Sequence, residues 1–402
     1  MFVDGANTEH FITQDTKTEL FRHKPSNTGG RTFATPVILI HSEFYTAEIW
    51  GEKPDGGNGW ASDFVKAGFV VFTPTLPLNG APNEQTLALI RAGGFVRRLP
   101  PSLVEKLMTA PAVVKSAQWP SRDFHSQWPG TGRSGDPIFG KLMSATVPIY
   151  LDRHEREAAG QQALVDILTR LGKRCVLIGH GSGANLAWLA ADMAPEFVAA
   201  IIAVEPLGPP FGNARASTAP APDVTKFTTD FSEPEIRSDL HLPYTPSIKD
   251  RPRRYGIADI PLTFNPPPRA PTDDELLDEN FQPIPYRLLS GKGPGLYSFV
   301  QDVRQGPPRR LVNLARIPQV VWTASASFHT TFDWATVRFL RQAGVDCHHL
   351  QPKPETGNGH LCFLEKNSSK ISRSLMSWIK DKLYTPKPVA PQSRKDPGQP
   401  PN

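Results

Sequence analysis

One short stretch constrains this chain more than any other. In Val176-Leu-Ile-Gly-His-Gly-Ser-Gly-Ala184 a β-branched run turns through alternating glycines into Ala184-Asn-Leu-Ala-Trp-Leu-Ala-Ala-Asp-Met193, where Leu186, Leu189/Ala190 and Met193 share one helical face. So abrupt a strand-to-helix turn needs residues without bulk, because the backbone is strained and neighbouring segments approach closely. The same rhythm recurs on both sides. Pro36-Val-Ile-Leu-Ile40 and Phe69-Val-Val-Phe72 flank a helix-like 60–67, and residues 155–171 carry a helical apolar period into the strand 174–178. The run 197–204 follows, then 319–323, a helix at 336–343, a strand at 347–350 and a last helix over 367–384. Continuous apolar strands alternating with amphipathic helices predict a mostly parallel α/β sheet flanked by helices.

Between these elements the chain is rich in proline. Its 42 Pro and 31 Gly among 402 residues stay below the roughly 25–30% that marks a low-complexity chain, so they signal long loops. Residues 75–150 read as loops and short helices on the rim. Residues 206–310 are too long for an ordinary connection and suggest a Pro-rich, lid-like insertion. The domain then runs over 35–384, after a polar lead at 1–34 and before a tail at 385–402 that has no apolar period and reads as disordered. No internal repeat is present.

Several function classes are disfavoured. A net charge of +5 with both signs interspersed makes no basic stripe, so nucleic acid is not an expected partner. Cys175, Cys347 and Cys362 form no Cys-x-x-Cys pair, which predicts neither a zinc site nor a disulfide framework and fits a reducing compartment. The N-terminal residues carry Asp4, Glu9 and Asp15 without an apolar run, unlike a secretory signal. No stretch of about 18 apolar residues occurs, so no membrane association is expected either. The expectation is a cytoplasmic protein with no cofactor and no metal. Gly179, Gly181 and Gly183 also miss the Gly-x-Gly-x-x-Gly spacing of a dinucleotide site.

The chemistry centres on the strand-to-helix turn. In the pattern Gly-x-Ser-x-Gly, which exposes a nucleophile at such an elbow, Gly179 and Gly183 bracket position 181, and that residue is glycine. Ser182 lies one residue later. It could serve as nucleophile if the turn is shifted, or it could cap the helix and offer its backbone N–H to an oxyanion. Glu205 ends the strand after the elbow helix, at the carboxyl edge where ligands bind. His360 lies late in the chain in the tight turn Gly357-Asn-Gly-His360. Elbow, acid, histidine is the chain order of a hydrolase triad. The carboxylate would hold His360 in the tautomer that accepts a proton from a nucleophile and returns it to the leaving group. Ser42 follows His41 after the first strand, where a His-Gly turn usually supplies a second oxyanion N–H; here Ser stands for Gly. Asp333 and Asp346 are further carboxylates, but Ala324 and Ala326 occupy the loop where many hydrolases place the acid, which favours Glu205. A Gly-rich turn without catalysis remains the competing reading.

With these motifs in view, the chain resembles the α/β-hydrolase superfamily over about 35–384, in particular a branch of bacterial esterases and related fungal hydrolases. The resemblance rests on Gly59-Trp-Ala-Ser-Asp-Phe64, Thr131-Gly-Arg-Ser-Gly-Asp-Pro137, the elbow with Trp188 and Asp192, Ala203-Val-Glu-Pro-Leu-Gly-Pro-Pro210, Gly256-Ile-Ala-Asp-Ile-Pro-Leu-Thr263 and Gly357-Asn-Gly-His360. It implies Glu205 as acid and His360 as base, and it places the family's nucleophile on Gly181. The chain is also similar to fungal hydrolases of secondary-metabolite clusters of the fusarin and cytochalasan type, associated with forming or processing a pyrrolidone-type lactam. That likeness implies a tailoring hydrolase or cyclase acting on an ester, amide or lactam-forming intermediate, with a largely apolar small molecule as substrate. A broad carboxylesterase and a pseudo-hydrolase with a binding role are the alternatives.

Overall fold

The computed structural model describes residues 1, 3–13, 15–26, 32–80, 84–91, 96–114, 119–212, 253–272, 281, 283–291 and 297–385. The β-branched runs become a central sheet of eight strands: β1 (Ala6–Ile12), β2 (Glu19–Pro25), β3 (Val37–Ile40), β4 (Val71–Thr75), β5 (Cys175–His180), β6 (Val198–Val204), β7 (Gln319–Trp322) and β8 (Cys347–Leu350). Their spatial order is β1-β2-β4-β3-β5-β6-β7-β8. From β4 through β8 every pairing is parallel. Only β1 and β2 run antiparallel, against each other and, for β2, against β4.

Side chains alternate between the two faces of this sheet. Ile38, Ile40, Leu177, Ile201 and Val321 face a core shared with the helices Arg153–Leu171 (α2), Ser182–Met193 (α3) and Asp333–Gln342 (α4). Val37, Leu39, Val176, Ile178, Ile202 and Val320 face another, closed by Trp60–Lys66 (α1) and Ser368–Leu383 (α5). With both faces covered, β3, β5, β6 and β7 are buried throughout, which is why they read as unbroken apolar runs.

The ends of these helices follow local chemistry. Asp152 and Glu155 form a reciprocal capping box at the start of α2, and Gly172, in the left-handed region, ends it. The N-terminal 34 residues, read as a polar lead, contain the β1–β2 hairpin, whose outer strand is largely exposed. Of the insertion at 206–310, residues 213–252, 273–280, 282 and 292–296 lie outside the described residues, as does 386–402 of the tail.

Candidate active site

Strand β5 ends at His180, and the chain turns within one residue into α3, which begins at Ser182. The turn is made at Gly181, with φ 54° and ψ −124°, a conformation that costs an L-residue about 1–3 kcal/mol. The glycines on each side are required by close approach. A Cβ at Gly179 would strike the backbone of Gly183 and Ala184, and one at Gly183 would strike the carbonyls of Ile40 and His41. The helix thus packs directly on the ends of β3 and β5. Gly181 N–H donates to the Val204 carbonyl at 3.0 Å, stitching the elbow to the strand that carries the acid.

Glu205 follows β6 immediately and is completely buried. Its own φ is 51°, an unusual left-handed backbone for a non-glycine residue. One carboxyl oxygen accepts the Ala324 N–H at 2.6 Å; the other accepts the Ser327 hydroxyl and lies 3.1 Å from His360 Nδ1. Burial pushes its pKa up to about 8, an effect that His329, Ser327 and Ala324 oppose and Asp333 reinforces.

His360 is brought in by the turn 357–360. Glu365, also buried, accepts the Gly359 N–H at 2.9 Å and the Asn358 amide at 2.6 Å, and pairs with His125 at 2.7 Å. His180 Nε2 donates to the His360 carbonyl at 2.9 Å. The His360 ring lies between two other imidazoles, His180 at 4.5 Å and His329 at 4.9 Å between centroids, the latter nearly parallel at 11°. Burial, with His180 and His329 adding to it, holds His360 well below the ordinary histidine range. The imidazole is therefore neutral and able to accept a proton at physiological pH.

The two serines meet on the other side of the elbow. Ser182 N–H donates to Ser42 Oγ at 3.3 Å, the hydroxyls are 3.4 Å apart, and Ser182 Oγ accepts the Glu43 N–H at 2.8 Å. His41 fixes the backbone here: its Nε2 accepts the Leu76 N–H at 2.9 Å, so its Nδ1 carries the proton donated to the Ser42 carbonyl at 2.7 Å. Burial lowers the His41 pKa to about 4, in keeping with that neutral ring. A small pocket opens beside Ser182, lined among others by Glu43, Leu76, Arg153, Arg156 and Asn185. Burial pushes the Glu43 carboxyl up, but Arg156, Arg153 and Arg97 outweigh it and hold the group below its usual value.

Glu205 and His360 are thus joined directly, and Ser42 and Ser182 are joined to each other. Among the described residues no hydrogen bond links Ser182 to His360. Of the other carboxylates, Asp333 is buried but accepts from Thr323 Oγ1 at 2.7 Å and pairs with His329 Nδ1 at 3.1 Å, while Asp346 is exposed. His180, Ser327 and His329 were missed from the sequence. The signal for the last two was present: both follow β7 at the carboxyl edge of the sheet, in the same loop as Ala324 and Ala326. Donor atoms of Glu205, His329 and His360 lie within 4.8 Å of one another, close enough to be metal ligands. The hydrogen bond between Glu205 and His360 already engages two of them.

The chain is 30% identical over 350 residues to "Probable secreted lipase phiG" of Fungal sp. (strain ATCC 74256), a match that covers 86% of this chain and 81% of that one. The chain belongs to the α/β-hydrolase superfamily. It is an enzyme of hydrolase type. No protein-family model matches. Solved structures similar to this α/β-hydrolase include a bacterial esterase, at 15% identity with 95% of this chain and 97% of that one covered and a TM-score of 0.47. Another is the naproxen esterase of Bacillus subtilis, at 11% identity with 93% and 91% covered and a TM-score of 0.41. No described helix is long and apolar enough to cross a membrane.

Proposed function

We propose that this α/β-hydrolase acts on the carbonyl of an ester, amide or lactam-forming intermediate, with His360 as general base and acid and Glu205 as the group that orients and charge-balances it. The observation that carries this reading is the 3.1 Å contact between two buried groups, Glu205 and His360, beside a strained elbow. A neutral imidazole accepts the proton of the attacking hydroxyl or water. The buried carboxylate stabilises the imidazolium, which then protonates the leaving group. The Ser182 N–H, at the N-terminus of α3, and the main chain after β3 are the donors proposed for the oxyanion. No metal or organic cofactor is needed for these steps.

The substrate we infer is a largely apolar, medium-sized small molecule of fungal secondary metabolism, rather than nucleic acid or a membrane surface. Support comes from the likeness to fungal cluster hydrolases and from a fungal relative named a lipase. We place the reaction in the cytoplasm on the three cysteines, which are free and buried, although that relative's name includes "secreted". The test is a panel of p-nitrophenyl esters of rising acyl length together with pyrrolidone-forming linear precursors. Turnover of at least one, lost on His360→Ala, is the expected result. A purified protein that turns over none of them, with or without the substitution, contradicts the reading.

A further inference from the structure

We propose that Ser42 carries the reactive hydroxyl of this site and takes the part of the nucleophile that Gly181 lacks. The inference rests on the acyl-transfer reading above and names the attacking atom within it. The elbow keeps its strained shape at Gly181, φ 54° and ψ −124°, with no side chain to present. The space that side chain would need is not empty. A Cβ built on Gly181 would fall on the Ser42 hydroxyl and lie 3.0 Å from the Ser42 Cβ. A side chain at 181 would therefore need the Ser42 hydroxyl to turn away from the position it holds here. Against the usual pattern of a hydroxyl at the elbow and glycine after the first strand, this chain has the two residue types exchanged across one point in space.

The local hydrogen bonds favour Ser42 over Ser182 as the attacking group. Ser182 Oγ accepts the Glu43 N–H at 2.8 Å and is anchored to the loop after β3. Among the described residues the Ser42 hydroxyl receives only the long 3.3 Å bond from the Ser182 N–H, and its own proton has no closer acceptor than Ser182 Oγ at 3.4 Å. Among the described residues His360 Nε2 also has no hydrogen-bond partner, while Nδ1 is held by Glu205. Apo sites commonly hold such groups apart until substrate closes them. In the step itself, Ser42 Oγ bonds to the substrate carbonyl carbon and its proton passes to His360 Nε2. The carbonyl oxygen becomes an oxyanion beside the Ser182 N–H. Collapse breaks the bond to the leaving group, which takes the proton from His360, and leaves an acyl-Ser42 ester that water hydrolyses by the same route.

The experiment is intact-mass measurement of the full-length protein after incubation with a fluorophosphonate, followed by peptide mapping. One adduct on Ser42 is expected. Ser42→Ala should lower labelling at least about a hundredfold with an unchanged melting temperature, and Ser182→Ala should leave the adduct on Ser42. An adduct on Ser182, or hydrolysis that depends on His360 in a protein that takes no adduct, overturns the role of Ser42 and leaves the acyl-transfer reading standing. A protein that neither labels nor hydrolyses any ester overturns both. The exchanged pair gives a second check: Gly181→Ser combined with Ser42→Gly should take its adduct at position 181. A double variant that labels anywhere other than position 181 would contradict the exchange.

Discussion

Glu205 meets two opposing demands. It is sealed from water, which favours the protonated carboxyl, yet it must be ionised to balance an imidazolium on His360. Three donors converge on it, but burial still pushes its pKa up to about 8. His360 is held neutral far below that pH, so its own protonation does not set the acid limb of activity. The ionisation of Glu205 does. We therefore expect kcat/KM to rise with pH to a plateau above an apparent value near 8, and Glu205→Gln to abolish that limb while lowering the rate about 10²–10⁴-fold, the usual range of a general base and its support. A profile already flat from pH 6 would argue that the acid is ionised throughout. This residue was legible in the sequence because it ends a strand at the edge where ligands bind. Its neighbours His329 and Ser327 follow a strand at the same edge, but a lone histidine and a lone serine in a loop look the same whether they face water or a buried carboxylate, so their position alone did not single them out.

At the scale of elements, the turn that presents His360 depends on a carboxylate several residues further on. Glu365 satisfies the Gly359 N–H, the Asn358 amide and His125 at once, all in the interior. Removing it strands several buried donors, each costing about 1–3 kcal/mol when left unpaired. Glu365→Ala should therefore lower the melting temperature by several degrees. Because His360 loses its placement, it should also reduce kcat more than it raises KM, as steady-state kinetics beside calorimetry would show. The buried strands and their helices were readable because a sheet covered on both faces demands unbroken apolar runs. The β1–β2 hairpin was not, because sequences such as Ala6-Asn-Thr-Glu-His-Phe-Ile12 line a mostly exposed edge and carry no such run. The elbow was legible as a turn, but the space shared by Gly181 and Ser42 lies between positions 139 residues apart and appears only once β3 and β5 are paired.

Across the whole molecule, the buried titratable groups set a pH window for stability. His23, His41, His329 and His349 are lowered to about 4 and His180 to about 3, all chiefly by burial. The stability they contribute is complete above pH 6.5 and is lost as pH falls toward those values, where the unfolded chain binds protons that the folded chain refuses. Glu157 and Glu205 are raised to about 8 by burial, Glu157 with Asp259 adding to it. Their contribution is complete below about pH 4.5 and declines as pH rises through 8, by about 1.4 kcal/mol per unit for each group at most. Urea midpoints should thus peak near pH 6.5 and fall on both sides, whereas a steady rise from pH 6.5 to 8 would contradict these assignments. Stability should then be declining over the range in which activity rises. Turnover of an acyl substrate by Glu205 and His360 is tested most directly by the hydrolysis rate of the best ester for the wild type and His360→Ala at equal concentration. A loss of about a thousandfold or more with the fold intact is expected. Equal rates would contradict it.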